Sequence, residues 1–198
     1  MLNIKKYAAI DIGSNAMRLL IANIVEQDGK DTQFNKSSLV RVPIRLGQDA
    51  FTVGAISEDN IDRMCDAMKA FNLLMKVHKV EHYKAFATSA MREAYNGKEV
   101  TEIIKKKTGI KIEIIDGKKE AAIIASSDLH SLIKTDKTYL FVDVGGGSTE
   151  FTLFSDSKMI VSRSFKAGTV RLLNDMVHDV VWDEIEKWIR TNTADFEE

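Results

Sequence analysis

Apolar residues run or alternate over strand-sized stretches at both ends of this chain, and between those ends they recur every three to four residues. Tyr7–Ile10, roughly Met17–Val25 and Gln33–Val42 read as strands, with Gln27-Asp28-Gly29-Lys30 turning between the last two. At Ser57-Glu58-Asp59 the period changes from two to 3.6, where a cap residue and an acidic first turn open a long helix. Ile61, Met64, Met68, Phe71 and Met75 form its apolar stripe. Lys84–Ala87 then reads as a strand, Lys98–Lys107 as a helix, Lys111–Ile115 as a strand and Lys119–Ile133 as a helix. Strand and helix in alternation imply parallel pairing, so the opening meander continues into a mixed five-stranded α/β sheet.

The opening pattern then returns. Tyr139–Val142 leads into a glycine turn, Phe151–Phe154 follows, Ser155-Asp156-Ser157-Lys158 turns, and Met159–Phe165 comes back, with an acidic helix near Asp183–Ile189. A duplicated unit is expected, with a first domain over residues 1–126 and a second over 127–198. The second has fewer residues than the first needed, so it is expected to be a truncated copy with an exposed strand edge.

Composition changes this picture little. In 198 residues, 44% hydrophobic and 29% charged content suits a globular chain and suggests neither disorder nor a membrane span. A net charge of −1 gives no basic field for nucleic acid, so any polyanion must be held by a local cluster of positive groups. Met-Leu-Asn-Ile-Lys-Lys-Tyr runs directly into a strand with no signal-peptide pattern, and the one cysteine, Cys65, allows no internal disulfide. Both point to the cytoplasm.

The candidate chemistry sits in the two repeated turns. Asp11, in Ala-Ile-Asp-Ile-Gly-Ser-Asn, and Asp143, in Val-Asp-Val-Gly-Gly-Gly-Ser-Thr-Glu, each follow an apolar strand and precede a turn of small residues. Such hairpins present backbone N–H groups to an anion, and phosphate is the expected one. Gly145, Gly146 and Gly147 allow close approach, Ser148 and Thr149 add hydroxyls, and Asp143 and Glu150 are hard oxygen ligands suited to Mg²⁺. Gly13, Ser14 and Asn15 make the other cradle, with Arg18 just beyond it. Asp11 also suits an Asx bond within its own turn, and Glu150 a solvated strand position.

These residues belong to a longer series of blocks. Ala8-Ala9-Ile10-Asp11-Ile12-Gly13-Ser14-Asn15, Arg45-Leu46-Gly47, Ala87-Thr88-Ser89-Ala90-Met91-Arg92-Glu93-Ala94, Ile114-Ile115-Asp116-Gly117-Lys118-Lys119-Glu120-Ala121, Val142 to Glu150, and Gly168-Thr169-Val170-Arg171-Leu172 follow one another in order. In these blocks, from residue 7 to about 175, the chain resembles the exopolyphosphatase/guanosine pentaphosphate phosphohydrolase (Ppx/GppA) family. That family lies within the actin, hexokinase and heat-shock-chaperone ATPase superfamily. The resemblance implies a ribonuclease-H-like, actin-type ATPase fold. It also implies loss of a terminal phosphoryl group to water, with Mg²⁺, from polyphosphate or guanosine pentaphosphate, and a homodimer for the full-length protein. Glu120 matches the glutamate that orients the attacking water. Lys119 stands where the family has a first glutamate, and Asp116 where it has Ser. Asp143 and Glu150 match the metal-side acids, Gly145, Gly146 and Ser148 the second phosphate loop, and Gly13, Ser14 and Asn15 the first. Arg18 and Arg92 match positions of positive charge on the phosphate chain.

Other readings keep their place. Glu120 also falls in the first turn of a helix, where an acid interacts favourably with the helix dipole. Lys118, Lys119, Lys166 and Arg171 either extend a basic track or are surface charge. An ATP-dependent kinase of the same superfamily and a polyphosphate-binding or regulatory module without turnover are the alternative functions. His78 and His82 have helical spacing but no acidic partner for a zinc motif, Lys105-Lys106-Lys107 suits a helix C-terminus, and Cys65 with Met64, Met68 and Met75 reads as core.

Overall fold

The computed structural model describes residues 2–125, 137–156 and 158–196, and divides the chain into two compact units, Met1–Ile114 and Ile115–Glu198. The first unit opens with β1 (Leu2–Ile12), β2 (Ala16–Gln27) and β3 (Gln33–Pro43), an antiparallel meander. The short α1 (Leu46–Thr52) and the long α2 (Glu58–Val77) follow. β4 (His82–Ala87), α3 (Ser89–Glu93), α4 (Gly97–Thr108) and β5 (Glu113–Ile114) complete it. β4 pairs parallel to β1 and β5 parallel to β4, giving a mixed five-stranded sheet in the order β3-β2-β1-β4-β5. This is the sheet the sequence pattern implies.

The core explains the order. Ala8, Ile10 and Ile12 of β1 lie opposite Ile21, Leu19 and Met17 of β2, and this apolar face meets the stripe of α2, in which Ile61, Met64, Met68, Phe71 and Met75 are all buried. Cys65 is buried among them, and burial pushes its thiol pKa up, so it is core. α4 adds Val100 and Ile104 and stops at Gly109, which takes the left-handed conformation at φ 77°. His78 caps the end of α2, while His82 lies in β4 with its ring edge-on to Tyr7, so the two imidazoles share no helical face.

The second unit starts with α5 (Gly117–Ala125) and continues through the antiparallel strands β6 (Thr138–Val144), β7 (Thr149–Ser155) and β8 (Lys158–Phe165). A short α6 (Thr169–Leu172), α7 (Asp179–Thr193) and one 3-10 turn follow. β7 is buried along nearly its whole length because both of its faces are covered. Phe151 packs with Phe165 and with Trp188 of α7, ring centroids 5.5 and 6.1 Å away, and Phe154 on the other face packs with Ile124 of α5. Among the described residues no helix is long and apolar enough to cross a membrane.

Several boundaries differ from expectation. The division falls after Ile114 rather than after residue 126, because α5 packs against β7 and β8. The part of the expected helix beyond Ala125 lies outside the described residues. α1, α3 and α6 carried no periodic signal, being too short to show one. β5 shrinks to Glu113–Ile114, and α7 runs longer than Asp183–Ile189.

One carboxylate fastens α1 to α2. Asp49 Oδ2 accepts from the Ser57 amide at 2.9 Å, the Ser57 hydroxyl at 2.5 Å and the Asn60 side-chain amide at 2.8 Å. Burial alone would raise the Asp49 pKa, but these donors from Ser57 and Asn60, with Arg63 nearby, hold it below the usual aspartate value. A depressed folded-state pKa stabilises above the unfolded pKa, and that gain disappears as pH falls through the folded value. Asp49→Ala is expected to cost about 1–3 kcal/mol at neutral pH, since it strands donors that charge had satisfied. Urea unfolding of both proteins should show the gap closing as the solution is acidified. A gap that stays constant into strong acid would remove Asp49 from this role.

Candidate anion cradles and acid row

Each glycine turn is defined by what its carbonyls are tied to. In the second unit, the carbonyls of Gly145, Gly146 and Gly147 accept from the Thr169 amide at 2.9 Å, the Val170 amide at 2.8 Å and Arg171 Nε at 2.7 Å. No peptide is cis among the described residues, and in a trans peptide the N–H points opposite to the C=O. The N–H groups of Gly146, Gly147 and Ser148 are therefore turned away from α6. They take no hydrogen bond among the described residues. The Gly145 amide is spent on closing the turn to the Ser148 carbonyl at 2.9 Å. Three successive N–H groups on one side of the turn are the donors that the expected anion would need.

The first turn is built the same way. The Ser14 carbonyl accepts from the Gly47 amide at 2.7 Å and the Asn15 carbonyl from the Arg45 amide at 2.9 Å, which aims the Asn15 N–H away from that segment. Gly13 closes the turn onto the Ala16 carbonyl at 3.1 Å. Ser14 is only 4% exposed, and its hydroxyl lies 2.9 Å from the Ser89 hydroxyl. Its side chain thus holds the turn to α3, which leaves only its backbone for the expected cradle. Asn15 is exposed.

Strand register then sets which side chains stand beside each turn. In the first unit Asp11 faces Arg18 across β1 and β2, and Arg18 faces Arg41 across β2 and β3. Arg18 Nη1 donates to Asp11 Oδ2 at 2.8 Å, and both side chains are about half exposed, 51% and 46%. Asp11 is therefore engaged by a cation rather than by an Asx bond. Arg92 lies in the last turn of α3, half-buried, in the same unit.

In the second unit the matching row is Asp143, Glu150 and Ser164 across β6, β7 and β8. Glu150 is 4% exposed, which removes the solvated-strand reading. Its Oε1 accepts from the Ser148 hydroxyl at 2.6 Å and the Ser164 hydroxyl at 2.7 Å. Both donors use one oxygen, which leaves Oε2 as the acceptor for a further partner. Two carboxylates directly opposite each other repel, and a cation offsets that repulsion. No cluster of three or more His, Cys, Asp or Glu exists among the described residues. Mg²⁺ is nonetheless commonly held by one or two carboxylates with phosphate and water completing its shell, so the Asp143/Glu150 pair fits it.

Glu120 joins this unit through α5. Asp116 Oδ1 caps the helix by accepting from the Lys119 amide at 2.8 Å, and the Asp116 carbonyl accepts from the Glu120 amide at 2.9 Å. A Cβ on Gly117 would stand 3.0 Å from Ser164 Cβ, so the start of α5 lies directly on the residue that holds Glu150. Glu120 and Ala121 share the face of Gly117 at three and four residues' spacing; Ala121 is buried, and Glu120 Oε2 is shielded from solvent.

The predicted residues thus divide between the units. Asp11, Gly13, Ser14, Asn15, Arg18 and Arg92 lie in the first, and Glu120, Asp143, Gly145, Gly146, Gly147, Ser148 and Glu150 in the second. Arg171 is corrected: at 8% exposure, with Nε on the Gly147 carbonyl, it supports the loop from within and is not part of a surface basic track. Ser89, Ser164 and Gly168 carried no individual signal. Gly168 is required by space, since a Cβ there would come within 2.4 Å of the Gly146 carbonyl carbon and oxygen.

Comparison with known proteins agrees with this fold. The model of the Ppx/GppA phosphatase family matches residues 24–193. A bifunctional 3-dehydroquinate synthase/phosphatase of Fusobacterium nucleatum is 32% identical over 203 residues, covering 96% of this chain and 30% of that protein. Exopolyphosphatase 2 of Mycobacterium tuberculosis is 29% identical over 178 residues, covering 87% of this chain and 55% of that protein. The crystal structure of an exopolyphosphatase from Cytophaga hutchinsonii superposes with a TM-score of 0.80 at 29% identity, covering 94% of this chain and 64% of that one. This chain therefore spans about a third to two thirds of the length of the proteins it matches.

Gly168→Ala is expected to push the second turn off its carbonyl ties and to lower unfolding free energy by about 1–3 kcal/mol. Arg171→Met should cost a similar amount by stranding the Gly147 carbonyl. Denaturant unfolding measures both, and wild-type stability in either variant would mean that α6 does not hold the turn.

Proposed function

The chain belongs to the Ppx/GppA phosphatase family, and on that premise we propose that it carries the phosphate-binding and water-activating groups of a hydrolase that releases orthophosphate from polyphosphate. The observation that carries this reading is the second unit's arrangement: outward amides at Gly146–Ser148, an acid row ending on buried Glu150, and Glu120 on the helix that packs onto the same row.

The chemistry asks for positioning and charge neutralisation more than for covalent help. Outward amides of the turn would donate to phosphoryl oxygens and stabilise the charge that builds on them. Glu120 would hold the attacking water and take its proton as the new P–O bond forms and the bridging P–O bond breaks. The leaving oxygen remains with the shortened chain. A divalent cation, when bound, would supply neutralisation of phosphate charge, and Asp143 with Glu150 Oε2 are the groups that would hold it. Within the first unit, taken by itself, the Asn15 amide and the Arg18 guanidinium would be donors for phosphoryl oxygens. A homodimer of the full-length protein stays part of this proposal, carried by the family resemblance alone.

The test is phosphate release from polyphosphate, guanosine pentaphosphate and ATP offered in parallel, with and without Mg²⁺. Polyphosphate should be turned over in a Mg²⁺-dependent way, and Glu120→Gln should reduce the rate about 10²–10⁴-fold with little change in thermal stability. Equal turnover by Glu120→Gln would remove Glu120 from the chemistry. Consumption of ATP only with transfer to an acceptor would make the protein a kinase.

A further inference from the structure

The row beside the first turn contains a charge that neither the core nor the Asp11 pair explains. Register places Arg41 on β3 directly opposite Arg18 on β2, on the same sheet face as Asp11. Side chains at such paired positions stand about 5 Å apart at Cβ, where two like charges repel. Arg18 spends Nη1 on Asp11, whereas Arg41 is exposed and makes no hydrogen bond or ion pair among the described residues. One carboxylate therefore faces two guanidinium groups. The apolar work of this part of β3 is done by its neighbours Val40 and Val42, which pack on the core from the other face. The equivalent third position of the second unit's row is Ser164, and there it supports the central residue by donating to Glu150. Arg41 opposes its central residue instead.

An anion lying across β2 and β3 would turn that repulsion into attraction on both sides. The location suits an anion that also reaches the first turn, because β3 ends at Pro43, opposite Ala16, and the next tie is from the Arg45 amide to the Asn15 carbonyl. We infer that Arg41 is a specificity-determining residue that holds a phosphoryl group farther along the chain than those at Asn15 and Arg18, so that the first unit favours long condensed phosphate over short. The inference rests on the proposed phosphohydrolase reading for the identity of its ligand as a phosphate chain.

Equilibrium binding of long-chain polyphosphate, tripolyphosphate and guanosine pentaphosphate to wild type, Arg41→Gln and Arg41→Lys, at several salt concentrations, tests it without relying on turnover. Arg41→Gln should weaken long-chain binding about tenfold and lower the slope of log affinity against log salt by about one. Tripolyphosphate should change by less than about twofold, and Arg41→Lys should fall between. Equal losses for tripolyphosphate and the long chain, a loss confined to guanosine pentaphosphate, or no loss at all would each overturn the assignment. Phosphate release measured on the same samples separates the two ideas. A wild type that binds long chains through Arg41 but releases nothing would refute the hydrolase reading while supporting this one.

Discussion

Everything specific in this molecule depends on where a few backbone carbonyls point. A glycine turn is free to face many ways, and it becomes an anion cradle only if its carbonyls are occupied on one side, because each trans peptide then sends its N–H to the other. Thr169, Val170 and Arg171 do this for Gly145–Gly147, and Arg45 and Gly47 do it for Ser14 and Asn15. The constraint is reciprocal. Close carbonyl ties require close backbones, so Gly168 has no room for a Cβ against Gly146, and a Cβ on Gly47 would stand 3.0 Å from that of Ser14. Short helices α1 and α6, each placed after a meander, are the parts of the fold that orient the turns.

Shared backbone geometry leaves the side chains free to differ, and they do. Both meanders set an aspartate beside the turn with its partner on the next strand, Asp11 with Arg18 and Asp143 with Glu150. The first pair neutralises itself at the surface, where such a contact contributes little to stability and leaves the guanidinium with donors to spare. The second pair cannot neutralise itself. Burying Glu150 beside another carboxylate is costly, and two serine hydroxyls on Oε1 offset part of that cost. One unit thus sets a cation–acid pair and an outward amide beside its turn, and the other outward amides and two facing acids.

Much of this was legible in the sequence, for reasons that can be traced. The sheet followed from period-two runs and from strand-helix alternation, and the α2 stripe from 3.6 periodicity over a long window. Five-residue α3 and four-residue α6 offered no period to read. Their roles were visible only as resemblance blocks, whose physical content is now plain: Ser89 holds Ser14, and Gly168 to Arg171 hold the second turn. Arg171 shows why charge in a sequence misleads. Its guanidinium donates to a backbone carbonyl in the interior, and nothing in the residue type distinguishes that from a surface cation. Ser164 was invisible because its importance lies in register, which pairs it with a residue fourteen positions earlier.

The departures at the start of α5 follow from the same logic. A helix start must satisfy its first amides, and Ser and Asp both do so as caps, so Asp116 in the place of Ser keeps the function through its bond to the Lys119 amide. That bond uses the backbone of residue 119 and makes no demand on its side chain. Lys119 is exposed, and a glutamate there would add only the reciprocal half of a capping box. Glu120 stands differently. It lies on the face of α5 that Gly117 presses against Ser164, and Ser164 in turn fixes Glu150, so the two carboxylates are linked through one serine and one glycine. A change at residue 119 leaves that linkage intact, whereas a side chain at residue 117 would crowd Ser164, its Cβ standing 3.0 Å from that of the serine.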